Sequence, residues 1–424
     1  MFLKSTLFIA IPIVFFVTLF VDSYPIVYAS LVLYLVFLTF FVTGMVRVIC
    51  AFLVFYLSIG LLNISSWRGY IDIEVLRLYF FCIISFGAPL IMLAFYPPSN
   101  RKYGGLAKVA NHQMFMQVML VHLMIAYIGV LIVYMTNGVI ILNQSLRFGI
   151  PTSLEYVIKS ILPLAAFVPL LEVRKKYLLL LAILFPAILI GSRGTAIIAI
   201  ISYLIAEFHL NHFGVKFREL ISENKKYIVY GAGCLSIIVV GFYLRRGEGA
   251  SLMGVSDVIF HYFDYDNVLI RAILPFYLGF KETIGLSNII VTKSIVNNIN
   301  DHALFFADLY TVLPGERLAA GQSLGRIFGA VQSGGLTPGL VGGVYIDYGI
   351  LTPLFFLVFG VIFATSEYKL ASKPLFIVIY AQLISQFIHL FHRGFIKPEY
   401  VTSVAIAIFY YLLCHRWIFR AEGH

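Results

Sequence analysis

Apolar positions in this chain come in long unbroken runs, such as residues 7–21 and 177–190. Membrane barrel strands would instead alternate apolar and polar positions over ~10 residues. In lipid every backbone polar group needs an internal partner, so runs of this kind are helices. A helix of ~20 residues crosses the hydrocarbon layer. The pattern predicts spans at 5–21, 25–42, 46–62, 76–95, 114–135, 154–171, 177–191, 194–210, 227–244, 342–364, 374–391 and 400–418. The expected fold is an all-α polytopic integral membrane protein with about twelve transmembrane helices. Lys4 and the first run imitate a signal peptide, but that run exceeds the ~7–15 residues of a signal core. A second run follows at once, so the first reads as a span that stays.

Between spans nine and ten lies one long segment, 245–341, with nearly balanced charge and many turn residues. Its apolar stretches, 268–280 and 303–313, are short for spans and read as interfacial or re-entrant helices. The predicted organisation is therefore 1–244 with nine spans, 245–341 as a long loop, and 342–424 with three spans and a short tail.

Composition supports this and removes other classes. Hydrophobic residues make up 61% and charged residues 12%, against about a quarter charged in soluble domains. So little charge cannot coat a soluble protein of this length. The net charge of +10 follows from basic short loops. Lys4, Arg47, Arg101, Lys102, Lys108, Arg174 to Lys176, Lys216, Arg218, Lys225, Lys226, Lys369, Lys373, Arg416 and Arg420 fall on one face if the spans alternate. Basic short loops stay on the cytoplasmic side. Both termini are then cytoplasmic and the long loop extracytoplasmic. No soluble stretch carries the basic-aromatic clusters of a nucleic-acid binder. Cys50, Cys82, Cys234 and Cys414 lie in or beside apolar runs without metal-ligand spacing.

Candidate chemistry gathers where spans end on the outer face. Gly191-Ser192-Arg193-Gly194-Thr195 joins two apolar runs with almost no loop. An arginine there needs water or an anion, and the helix beginning at that turn offers free N–H groups to one. Arg245-Arg246 closes another span, and adjacent arginines bind phosphate or diphosphate in bidentate fashion. His392-Arg393-Gly394 closes a third, one turn after His389. In the long loop, Asp301, His302 and Asp308 are acid/base candidates. Each arginine also has a plain reading as a snorkelling anchor. No Walker loop, His-Glu-x-x-His helix or Gly-x-Ser-x-Gly elbow is present.

The order of these features resembles the Wzy-type oligosaccharide repeat-unit polymerases of O-antigen, capsule and enterobacterial common antigen. It rests on Gly-Ser-Arg-Gly-Thr at 191–195, Arg245-Arg246, Tyr310, Pro314-Gly315, Arg317, Thr337-Pro338 with the following glycines, and Arg393-Gly394. The resemblance covers the C-terminal half, from Tyr177 onward. It implies a GT-C-like glycosyltransferase of the bacterial inner membrane, needing neither metal nor other cofactor. Such an enzyme moves a growing glycan from undecaprenyl diphosphate to a hydroxyl of the next lipid-linked unit, at the outer face. Protein cations then stabilise the diphosphate leaving group, and Arg193, Arg245 or Arg246, and Arg393 map onto the family's basic positions, with Arg317 and Arg326 as weaker carry-overs; the resemblance also implies substrate contacts at Arg317, Arg326, Tyr310 and Thr337. Implied partners are the lipid-linked oligosaccharides, the surrounding lipids and a chain-length regulator protein. The stretch Val331-Gln332-Ser333-Gly334-Gly335 lacks a histidine that some relatives carry before the Thr-Pro step. Asp264-Tyr265-Asp266 is the nearest approach to a metal-binding acidic pair.

Two other readings share the sequence. An O-antigen ligase would use the same outer-face geometry for a different acceptor. A flippase or transporter of lipid-linked oligosaccharide would need charged or broken helices near the midplane. Glu155, Lys159 and Glu207 are the charges inside spans, and Pro163, Pro169 and Pro186 the candidate breaks.

Overall fold

Long apolar side chains with few interruptions leave the chain little choice but helix wherever lipid is the solvent. The computed structural model describes residues 19–42, 44–95, 112–140, 146, 149–171, 174–211, 268–293, 303–312, 318–328 and 335–421. Among these the chain is all-helical. Five segments are long and apolar enough to cross a membrane, at 24–41, 73–95, 113–137, 152–170 and 339–370. Shorter apolar helices cover 46–60, 176–189, 194–210 and 398–413. The spans expected at 5–21 and 227–244 lie outside the described residues.

The helices are α1 Tyr24–Phe41, α2 Val46–Gly60, α3 Ile73–Phe95, α4 His112–Asn137 and α5 Thr152–Lys159. A 3-10 segment, Leu162–Leu170, follows α5. Then come α6 Lys176–Leu189, α7 Arg193–Asn211, α8 Val268–Thr292, α9 Ala320–Ile327, α10 Gly339–Tyr348, α11 Thr352–Ser372, α12 Ile377–Arg393 and α13 Pro398–Ala421.

The expected spans 154–171 and 342–364 are found again at 152–170 and 339–370 with a break inside each, and a third expectation changes in length. The span at 154–171 is broken: α5 stops at Lys159, and a 3-10 segment with Pro163 in its first turn and Pro169 inside replaces the helix. Proline removes a backbone donor and crowds the preceding turn. The span at 342–364 is two helices, α10 and α11, parted at Gly349 with φ +52°. The stretch at 268–280 is longer than expected. It belongs to the 25-residue α8, which continues through Lys281 and Glu282.

Helix α12 is the centre. Eleven of its residues, from Ile377 to Phe391, are buried, as expected of a helix surrounded by others. It packs on α2, α8, α10 and α11 on one side and on α7, α13 and the 3-10 segment on the other. Phe387 stacks on Phe86 of α3 and meets Phe363 of α11 edge-on at 5.1 Å. Gln382 donates to the Pro163 carbonyl and to Ser202 Oγ, at 3.1 and 3.0 Å. That amide satisfies a carbonyl in the broken segment, where burial without a partner would be costly.

The far end of α12 is fixed by glycine. Gly394 ends the helix with φ +93°, a conformation that glycine adopts without steric penalty. A Cβ there would lie 2.4 Å from the Gly339 carbonyl oxygen, and a Cβ on Gly343 would lie 2.1 Å from that of Gly394. The start of α10 thus rests backbone-on-backbone against the end of α12. Gly394→Ala and Gly343→Ala are each expected to destabilise the protein by about 1–3 kcal/mol. Gly279→Ala, where a Cβ meets nothing within 4 Å, should leave stability unchanged or raise it by about 0.5–1 kcal/mol. Thermal unfolding in detergent measures all three, and equal midpoints would refute the close crossing.

Candidate functional site

At the end of the bundle where α6 turns into α7 and α12 into α13, several polar side chains converge. The α6–α7 turn is built by Gly191, with φ +74°. Ser192 accepts from Thr195 through both its carbonyl and its hydroxyl, at 2.8 and 3.1 Å. Arg193 is the first residue of α7, and Thr195 lines a cavity one turn on. The α12–α13 turn is Gly394-Phe395-Ile396-Lys397, and Pro398 opens α13 with its fixed φ.

The cavity opens to solvent, and about 330 Å³ is empty when that open space is counted with it. Its polar wall carries Lys159, Thr195, Gln386, His389, Glu399 and Ser403, and apolar side chains of the 3-10 segment and α7 complete it. Lys159 Nζ stands 2.8 Å from Glu155 Oε1 and 3.0 Å from Glu399 Oε2. The Lys159 and Glu399 side chains are only 11% and 12% exposed. His389 Nδ1 is 3.9 Å from the other Glu399 oxygen, and the His389 ring meets Tyr400 edge-on.

Just outside the cavity wall are two more cations. Arg393 Nε is buried without a hydrogen-bond partner among the described residues. Lys397 adjoins it and makes no ion pair within hydrogen-bonding distance among those residues. Burial lowers the Lys397 ammonium from its usual range; Glu399 and Asp308 oppose this, and Arg393 and Lys159 add to it. Asp308 accepts from the Ala320 N–H at 2.6 Å, at the start of α9. Burial pushes its carboxyl up, while that N–H and Lys397 pull it back.

The sequence candidates divide accordingly. Asp308 and Arg393 come together around Lys397, and the Arg193 turn reaches the same cavity through Thr195. His392 turns to α2 instead, where Tyr56 Oη is 3.3 Å from its Nδ1 and also bonds Thr283. Tyr310 follows Asp308 in the same 3-10 turn. Arg326 is exposed in the last turn of α9, and Thr337 precedes α10; no described contact ties either to the cavity. Arg245, Arg246, Asp301, His302 and Arg317, with Asp264 and Asp266, lie outside the described residues.

Sequence reasoning passed over Lys397, Glu399, Gln386 and Ser403. A signal existed in Lys397-Pro398-Glu399-Tyr400, two unlike charges flanking the proline that begins a span. Ionised residues at such a place carry function by default.

No family model matches the chain, and neither a curated protein nor a solved structure matches it.

Removing one partner of a buried ion pair strands the other charge. Lys159→Met is therefore expected to destabilise the protein by about 3–5 kcal/mol. Lys159→Met combined with Glu399→Gln should recover much of that loss. A double mutant no more stable than the Lys159→Met single, read by thermal unfolding, would show that the pair does not hold the site.

Proposed function

We propose that this protein is a membrane glycosyltransferase that joins lipid-diphosphate-linked oligosaccharide repeats, a polymerase at the outer face of the bacterial inner membrane. The observation that carries this reading is the pair Arg393 and Lys397. Both cations lie at one end of the bundle, beside a polar cavity, and among the described residues neither makes an ion pair within 4 Å, although Glu399 and Asp308 act on Lys397 from farther off. Glu155 and Glu399 make their close ion pairs with Lys159.

A diphosphate supplies the missing anion. Its leaving group develops charge as the glycosyl bond breaks, and preorganised cations lower that barrier without reorganising. A planar guanidinium offers paired donors to phosphate oxygens. The Arg193 turn adds the free N–H groups at the start of α7. The positive-inside pattern puts this end of the bundle on the outer face. There the glycan acceptor is a hydroxyl of the neighbouring lipid-linked repeat, and the surrounding lipid holds both carriers in one plane.

One observation favours the transporter reading. Lys159 sits inside the bundle where α5 breaks into the 3-10 segment, and discontinuous helices with internal charge are built into transporter sites. Against it, Lys159 already has two carboxylate partners, so it offers little to a passing anion.

The glycans of cells lacking the protein separate the readings. A lipid core capped by a single repeat, without a ladder, supports polymerase. Unmodified core with long lipid-linked polymer at the outer face means ligase. Single repeats trapped on the cytoplasmic side mean transporter. Arg393→Ala, and likewise Arg193→Ala and Arg245→Ala, should reduce long glycan ~100-fold or more at unchanged protein level. Normal ladders from all three would remove the diphosphate role of the cations.

A further inference from the structure

The turn that carries Arg393 is tied into the bundle by a set of buried hydroxyls. Resting on the transferase reading above, we propose that Tyr56, Thr283 and Ser287 are positioning residues, which fix the direction in which Arg393 meets the lipid diphosphate.

Arg393 is the last residue of α12, and Gly394 behind it presses on the Gly339 carbonyl at the start of α10. Its aim therefore depends on two backbones, the end of α12 and the start of α10. Helix α8 reaches both from one face. Thr283 and Ser287 are four residues apart, so they share one side of that helix. Both are buried, as are Tyr56 and Tyr79. Tyr56 Oη of α2 bonds Thr283 Oγ1 and stands 3.3 Å from Nδ1 of His392, the residue before Arg393. Ser287 Oγ donates to the carbonyl of Pro338, the residue before Gly339. It also accepts from Tyr79 Oη of α3 at 3.2 Å. One hydroxyl chain thus ends beside Arg393, and the other beside the backbone on which Gly394 rests.

Packing alone does not call for these hydroxyls. The rings of Phe52, Phe280 and Phe391 surround Tyr56 with centroids 5.4, 4.3 and 5.3 Å from its own. A phenylalanine would fill the same place. A buried hydroxyl offsets its desolvation only by being bonded, and the Tyr56 bonds go to α8 and to the residue before the arginine. Helix α10 lies equally close to α8, for a Cβ on Gly342 would be 3.0 Å from Ser287 Cβ. Beyond the arginine, the Ile396 N–H donates to the Phe305 carbonyl at 3.0 Å. The turn is therefore tied on both sides of Arg393.

A cation aimed at developing charge lowers the barrier only while its direction holds. A misplacement of about 1 Å, caused far from the chemistry, can slow a reaction ~100-fold. The three hydroxyls are buried and touch no reacting atom, so they act through the arginine. Their loss should lower the rate of the chemical step and leave substrate binding nearly as it was.

The test uses the purified full chain, with lipid-linked repeats extracted from a strain lacking the protein. Tyr56→Phe removes one oxygen and should lower kcat ~10-fold or more, with KM little changed. Thr283→Val, similar in shape but without the hydroxyl, should do the same, and Thr283→Ser should restore most of the rate. Coupling separates aim from stability. Arg393→Ala alone should cost ~100-fold. Tyr56→Phe added to it should cost less than ~2-fold more, because no arginine remains to be aimed. A network that only stabilises the fold would multiply the two losses to ~1,000-fold, and that result overturns the proposal. If Tyr56→Phe does not fold, Thr283→Val with and without Arg393→Ala decides the matter in the same way. Full rates in Tyr56→Phe and Thr283→Val, beside a slow Arg393→Ala, would remove the positioning role and leave the transferase reading standing. A glycan ladder that survives deletion of the protein would instead defeat the transferase reading itself, before any variant is compared.

Discussion

The pairing of Lys159 with Glu399, at 3.0 Å across 240 residues of chain, is the interaction on which this end of the molecule depends. Ionised groups inside an apolar bundle are tolerated only with partners. Lys159 ends α5 where the helix gives way to the 3-10 segment, and Glu399 stands in the first turn of α13. The pair therefore holds a broken helix against the start of an unbroken one, and the cavity is the space the break leaves. Gln382 serves the same joint from α12, by taking up the Pro163 carbonyl.

Positions of the apolar helices were legible in the sequence because length and hydropathy follow directly from the thickness of the hydrocarbon layer. Their continuity was much less so. Residues 162–170 are as apolar as any helix in the chain, so hydropathy cannot tell α from 3-10 there. Only Pro163 and Pro169 carried that information. Helix α8 failed in the opposite sense. Lys281 and Glu282 end its apolar run, yet the helix continues, because Lys281 is fully buried against Asn63 Oδ1 at 3.0 Å. A charge with a distant partner reads, in sequence, like the end of a helix.

The same asymmetry governs the site. Arginines next to glycine announce themselves locally, and Arg393 does so because Gly394 must end α12 with a positive φ. Partners contributed from elsewhere do not. Glu155 and Lys159 share one helix turn and were visible as charges inside a span. Glu399 looked like an ordinary first-turn carboxylate, which favours a helix N-terminus anyway. Spacing along the chain holds no trace that it faces Lys159, and its importance emerges only from the packing of α12 between α7 and α13.

That packing also separates the two kinds of positive charge at this end of the bundle. Lys159 is neutralised by carboxylates on both sides, so it shapes the cavity without making it an anion trap. Arg393 and Lys397 project from a turn whose backbone is locked against α10 by Gly339 and Gly343, with no carboxylate bonded to the Arg393 Nε. A chain that had merely to anchor a helix at the interface could leave both cations in water, where snorkelling costs little. Burying the Arg393 Nε without a partner carries a desolvation cost of about 1–3 kcal/mol or more. On the reading proposed above, an anion bound from outside would offset that cost.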